Sequence, residues 1–206
     1  MTILYIISKY ICFPGAYMRA FWEHITCKIL MLQVEPGKYV KRDEASGHIE
    51  HSLAKTQWSA WLMATGPGFL NFNLGSSLFL FGFLSVKYMG ITPWDKVDIS
   101  VAVGNKMLQF LHTLGIQNMY PFYIYLIAMY LGVSLLCNVF PLTEDIINYW
   151  SMAYGPLGKK SIAKSTIAKL NLPLAGITRL GAFLDAKGIL FILWVVYLIL
   201  EFTVFM

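Results

Sequence analysis

Residues 12–28 read CFPGAYMRAFWEHITCK, inside an apolar zone that runs from about residue 2 to 33. The stretch carries Arg19, Glu23 and His24 along what otherwise reads as a lipid-soluble helix. An ionisable side chain within a span costs about 2.5–3.5 kcal/mol on insertion scales, so such groups face a bundle interior and find partners. Arg19 and Glu23 are four residues apart and share one helix face. His24 lies about 100° around the helix from Glu23 and points elsewhere. The zone is too long for one straight span, and Pro14-Gly15 offers the natural break.

Working outward, the whole chain has the same character. Of its 206 residues 57% are hydrophobic, 16% are aromatic and only 13% are charged. A soluble domain carries roughly 25% charge, so too few charges remain here to coat a water-facing surface. The composition implies an integral membrane protein, with Trp and Tyr suited to the two interfaces. A net charge of +5 spread over several loops excludes the concentrated basic face that nucleic-acid binding needs. Cys12, Cys27 and Cys137 lack paired spacing and sit in apolar surroundings, so they read as buried thiols rather than a disulfide framework or zinc ribbon. The N-terminus has neither a basic n-region nor a small-residue cleavage site and does not read as a cleaved signal peptide.

Crossing a bilayer takes about 20 mainly apolar residues. Beyond the first zone, residues 58–87, 119–142 and 188–206 qualify, which predicts an all-α fold of about four transmembrane helices in a single membrane domain, residues 1–206. Gly66-Pro67-Gly68 can bend the second span or admit another backbone. Loop 34–57 and the basic loop 151–187 carry most of the Lys and Arg; the positive-inside bias makes them cytoplasmic and both termini external. Within the latter, residues 171–187 read as a re-entrant, interfacial or crossing segment, and the lysine-studded residues 159–170 as a solvated helix or one lying on an anionic leaflet. Residues 37–51, GKYVKRDEASGHIEH, lack helical periodicity and read as a turn and short hairpin. His112 reads as facing headgroups or water, and Glu201 as lying late in the last span.

Two further polar groups stand near the first helix in this reading. His48, Glu50 and His51 precede the second span, and Asn138, Glu144 and Asp145 follow the third. Pro141 breaks the helix between Asn138 and Glu144, and broken backbone at membrane depth is tolerated only where it is buried or lines a wet cavity. Asn71 and Asn73 read as hydrogen-bonding glue between helices or as a hold on the Asp145 loop.

Taken in order, FPGAYMRAFWEHITCKIL, GHIEH, TGPGFLNFNLGSS and LGVSLLCNVFPLTEDIINYW resemble the site-2-type intramembrane zinc metalloproteases, most nearly their compact bacterial and archaeal relatives. The resemblance spans residues 12–150 and implies a protease-like core there, with residues 188–206 as a C-terminal helix. In that family Phe-Pro-Gly leads into His-Glu-x-x-His, whose histidines hold zinc at i and i+4 while the glutamate activates water. Alignment on Phe13-Pro14-Gly15 puts Arg19 at the first histidine, Ala20 at the catalytic glutamate and Glu23 at the second histidine. Asp145 matches the third ligand, and His51 matches the Gly-x-x-x-His histidine counted from Gly47.

The resemblance therefore implies a multi-pass, metalloprotease-like pseudoenzyme: no catalytic residue, no cofactor, and a structural ion cluster of Arg19, Glu23 and Asp145 in place of metal. Arginine is a permanent cation without an acceptor, and its fork suits two carboxylates. Such a protein would serve as a binding or scaffold subunit, in contact with lipid and with a protein partner or a second copy of itself. Two other readings stand. One is a zinc-dependent protease with a rearranged site drawn from Glu23, His24, His51 and Asp145. The other is a small transporter or channel component built on helices broken at Gly66-Pro67-Gly68 and Pro141.

Overall fold

The computed structural model describes residues 3–35, 49–88, 120–155 and 166–200. Among them the regular structure is helical: α1 (Ile3–Ile11), α2 (Phe13–Ile29), α3 (Gln57–Tyr88), α4 (Tyr120–Leu136), α5 (Thr143–Tyr154), α6 (Thr166–Leu170), α7 (Leu172–Ala186) and α8 (Ile189–Leu200). Residues 37–47 of the expected hairpin, His48, His112, Glu201 and the lysines at 159, 160 and 164 lie outside the described residues.

The first apolar zone is broken, as expected, but at Cys12 rather than at Pro14-Gly15. Pro14 falls in the first turn of α2, where its missing N–H costs nothing and its fixed φ suits a helix start. The buried face of α2 is Gly15, Ala16, Arg19, Ala20, Glu23, Thr26 and Cys27, a helical stripe that contains the charges. Its outward residues include the exposed Phe13, Tyr17 and Ile29. At the far end Met31 takes a left-handed φ of 54°, Leu32 N–H donates to the Cys27 carbonyl at 2.9 Å and Met31 N–H to that of Lys28 at 3.2 Å. This C-terminal turn sends the chain back as an extended segment. There Val34 pairs antiparallel with His51, flanked by Glu35 N–H to the Glu50 carbonyl and Ser52 N–H to the Gln33 carbonyl, each 2.9 Å.

Helix α3 continues through Pro67 and packs most extensively against α4. The two backbones meet at Gly75 and Gly132: a Cβ on Gly75 would lie 3.0 Å from the Gly132 carbonyl oxygen, and one on Gly132 2.8 Å from that of Gly75. Only residues without a side chain allow this approach. Helix α4 ends at Leu136, several residues before Pro141, and the chain re-enters a helix at Thr143. The stretch 151–187, expected as a basic loop, holds the end of α5 and all of α6 and α7. Helices α7 and α8 meet at 87°. Gly188 at that corner has φ 73°, and a Cβ there would lie 2.9 Å from the Tyr5 backbone N of α1.

One helix, Gln57–Ser85, is long and apolar enough to cross a membrane, or two if the bent pair α7–α8 counts as one span. No residue of α8 is buried, and Phe69, Phe72, Leu80 and Phe81 of α3 are exposed. The buried set meanwhile includes Lys9, Arg19, Glu23, Asn71, Ser134, Asn138, Asp145 and Asp185. Water-soluble proteins almost never bury such residues fully unless they are paired. The described helices thus carry many large apolar groups outside, and bury a set of polar and charged groups alongside an apolar core that includes Ile146, Tyr149, Phe79 and Leu136.

Candidate functional site

Three chain segments meet at one buried point. Helix α2 brings Glu23, 1% exposed; the extended segment before α3 brings His51; the first turn of α5 brings Asp145, 6% exposed. His51 Nε2 lies 3.5 Å from Asp145 Oδ1 and 4.0 Å from Glu23 Oε1. One ligand atom from each residue lies within 4.8 Å of the other two.

Local structure explains each placement. Glu23 faces inward with the α2 stripe, and its Oε2 accepts the Ile49 backbone N–H at 3.1 Å, which ties the carboxylate to the segment carrying His51. The antiparallel pairing with Val34 sets the register of that segment. Leu142, extended at ψ 153°, starts α5, so Asp145 sits at a helix N-terminus where the helix dipole favours a carboxylate. Its neighbour Glu144 points out and is exposed.

The His51 ring is oriented by its other nitrogen. Nδ1 lies 3.0 Å from the Ser52 carbonyl oxygen, which can only accept, so Nδ1 carries hydrogen. Nε2 is thereby turned to the carboxylates. The Asp145 carboxylate, 3.5 Å from Nε2, is the main reason the imidazolium form is favoured, with the His51 pKa raised to about 9. Burial opposes that rise, while the Ser52 carbonyl and the charge of Glu23 add to it. Asp145 Oδ2 is buried and makes no hydrogen bond among the described residues.

The structure brings Glu23 and Asp145 together, as the sequence suggested, but with His51 between them. Arg19, 4% exposed, lies one turn before Glu23 and gives Nη1–H to the Phe140 carbonyl. No carboxylate pairs with its guanidinium among the described residues, and its Nε is buried without a hydrogen bond. The physical reason is the break between α4 and α5. Pro141 leaves the preceding carbonyl outside any helix, and the guanidinium takes it. His24 is partly exposed and falls outside the three-residue group. Glu50 is exposed. Ala20, at 0% exposure, is packed in the α2 interior.

A second buried centre joins Asn138 and Asn71, singled out in the sequence, to Lys9 and Asp185, which sequence reasoning passed over. Lys9 Nζ of α1 reaches Asp185 Oδ1 at 3.0 Å and Oδ2 at 2.8 Å on α7, and donates to Asn138 Oδ1 at 2.8 Å. Asn138 Nδ2 donates to the Cys12 and Ser134 carbonyls at 3.1 and 2.8 Å. Asn71 Nδ2 bridges the Gly15 and Asn138 carbonyls at 3.2 and 3.1 Å, and Gly15 N–H donates to Ser134 Oγ at 2.8 Å. The signal for this centre was present: Lys9 is the one charge of α1, and Asp185 is the one acidic residue of α7. Asn73, by contrast, is exposed in mid-helix and donates Nδ2–H to the Phe69 carbonyl one turn back. The three cysteines are buried and unbridged.

Comparison of the chain with protein-family models, with curated proteins and with solved structures returns no match.

Proposed function

We propose that this is an integral membrane protein of about four spans that resembles the site-2-type intramembrane metalloproteases, has no hydrolytic activity, and works as a binding or scaffold subunit in the membrane. Its basic segments 34–57 and 143–187 are cytoplasmic and its termini external. The apolar exterior of α3, α4 and α8, with charged side chains buried inside, supports the membrane setting. The observation that carries the functional part is Ala20, fully buried at the position where the resemblance requires the water-activating glutamate. A positioned acid–base group contributes typically 10²–10⁴-fold to a rate, and alanine supplies none of it. Arg19, at the first ligand position, is a fixed cation that cannot ligate and is occupied with the Phe140 carbonyl.

The test is incubation of the purified chain with a panel of single-span peptides, read by mass spectrometry alongside a binding assay. Binding without cleavage is the expected result. Cleavage that disappears in Asp145→Asn would overturn the proposal. The rival reading, a protease with a rearranged zinc site, is favoured by one observation only, the convergence of Glu23, His51 and Asp145. That convergence speaks to metal binding and supplies no general base.

A further inference from the structure

We infer that Glu23, His51 and Asp145 form a binding site for one divalent first-row transition-metal ion, zinc fitting best, which clasps α2, the segment before α3 and α5 together. The inference rests on the proposed function only for the ion's role, structural rather than hydrolytic. The ligand set departs from the one the family resemblance implies. Arginine and glutamate replace the two helix histidines, and the single imidazole comes from a different segment.

The donor chemistry fits. Zinc accepts imidazole nitrogen and carboxylate oxygen at about 2.0–2.2 Å, which places ligand atoms of a tetrahedral site about 3.3–3.6 Å apart. His51 Nε2 to Asp145 Oδ1 is already 3.5 Å, and His51 Nε2 to Glu23 Oε1 is 4.0 Å. Closing the site takes movements of side-chain ends alone. Two carboxylates and a neutral imidazole also balance a divalent charge.

The surroundings of the ligands point the same way. Ligating histidines nearly always donate their other ring N–H to a carbonyl or carboxylate, and ligating carboxylates are themselves hydrogen-bonded. His51 Nδ1–H already donates to the Ser52 carbonyl, and Glu23 Oε2 already accepts from Ile49 N–H. Asp145 keeps Oδ2 buried without a hydrogen bond, so a carboxylate more than nine-tenths buried retains donor capacity at the centre. The oxygen-rich, single-imidazole set disfavours thiophilic Cu(I), and the imidazole disfavours Mg²⁺ and Ca²⁺; between zinc and manganese the general affinity order favours zinc.

The test uses the full chain in detergent, stripped with a chelator and then equilibrated separately with Zn²⁺, Mn²⁺ and Mg²⁺. Metal content after desalting and the thermal midpoint are read. Stoichiometric zinc with a raised midpoint, Mn²⁺ weaker and Mg²⁺ without effect, is expected. His51→Gln and Asp145→Asn should each weaken zinc binding at least about tenfold, since even changes to groups behind the ligands cost 10–100-fold. Glu144→Gln, exposed beside the site, should bind as the parent does. Should His51→Gln fail to fold, Asp145→Asn alone decides. Zinc that washes out of the parent, or that both site variants retain undiminished, would overturn the inference. Zinc bound with cleavage of a span peptide would leave the site standing and sink the non-hydrolytic reading instead.

Discussion

The molecule holds two buried polar centres, and they are finished to different degrees. At the Lys9 centre every charge has its complement: the ammonium meets both oxygens of Asp185 and the Asn138 amide oxygen, and Asn138 spends both amide hydrogens on backbone carbonyls. At the Glu23 centre two carboxylates share one imidazole, Asp145 Oδ2 has no hydrogen bond, and Arg19 leaves Nε unused. At the first network only a neutral edge atom, Asn71 Oδ1, goes without a hydrogen bond among the described residues and the charges are matched, which fixes one packing arrangement; spare capacity on the charged groups themselves marks a place where something else is accommodated. The first centre is therefore a joint between α1, the end of α4 and α7. The second is a site.

The largest effect should come from breaking the joint. Lys9→Met strands the Asp185 carboxylate among α1 and α7, and removing one partner of a buried pair typically costs about 3–5 kcal/mol. Thermal or denaturant unfolding in detergent measures it. The double variant Lys9→Met/Asp185→Leu should recover much of that loss, because an apolar pair of similar volume is often no less stable than the buried ions. A double variant as unstable as the single one would mean the joint depends on packing rather than on charge balance.

Arg19 comes next, and it separates the two centres. Its guanidinium holds the carbonyl beside Pro141, so Arg19→Ala removes a hydrogen bond from a charged donor, worth about 1.5–3 kcal/mol, together with the packing of the long stem. Unfolding of Arg19→Ala reads the loss, and Arg19→Lys should recover only part, since an ammonium lacks the planar fork. A melting profile identical to the parent would show that the break between α4 and α5 does not need this cation.

Much of this arrangement was legible in the residues. The break in the first apolar zone, the inward turn of Arg19 and Glu23, and the importance of His51, Asn71, Asn138 and Asp145 all follow from charges and breakers set in apolar sequence. What sequence could not show was which carbonyl or carboxylate each head group reaches. Arg19 and Glu23 share a helix face, but α-helical spacing does not say that the Phe140 carbonyl is the nearer partner. Lys9 and Asp185 are separated by 176 positions, and their pairing depends on the 87° corner at Gly188, a tertiary fact without a local signature. The end of α4 at Leu136 was also hidden, because the apolar run continues to Leu142 while the backbone has already turned to let Asn138 face inward.

Asn71 lies at the edge of the Lys9 centre and should give a smaller loss. Asn71→Leu frees the Gly15 and Asn138 carbonyls at the junction of α2, α3 and the α4 end. Interhelical hydrogen bonds in a membrane-protein host average about 0.6 kcal/mol, so a loss of about 1 kcal/mol for two is expected, read as a shift in the unfolding midpoint. A loss as large as that of Lys9→Met would place Asn71 within the joint rather than beside it.

The smallest effect, and the one that separates the centres most sharply, is Asp145→Asn. In the metal-free protein it leaves one carboxylate, Glu23, facing one imidazolium, and it removes the repulsion between Glu23 and Asp145. Asp145 is the main support of the His51 imidazolium, but Glu23 stays beside that cation and the carboxylate repulsion is gone, so the loss should stay below about 1 kcal/mol. The corresponding change at the other centre, Asp185→Asn, leaves Lys9 buried without its counter-charge and should cost several times more. Measured side by side in chelator, the two substitutions ask the same chemical question of two carboxylates that are 6% and 7% exposed, so burial is matched while partners and helix position differ. Equal losses would erase the distinction between joint and site. A tolerated Asp145→Asn beside a crippled Asp185→Asn would show that the fold does not need the charge it keeps at Asp145, and that the reason for keeping it lies in what that carboxylate binds.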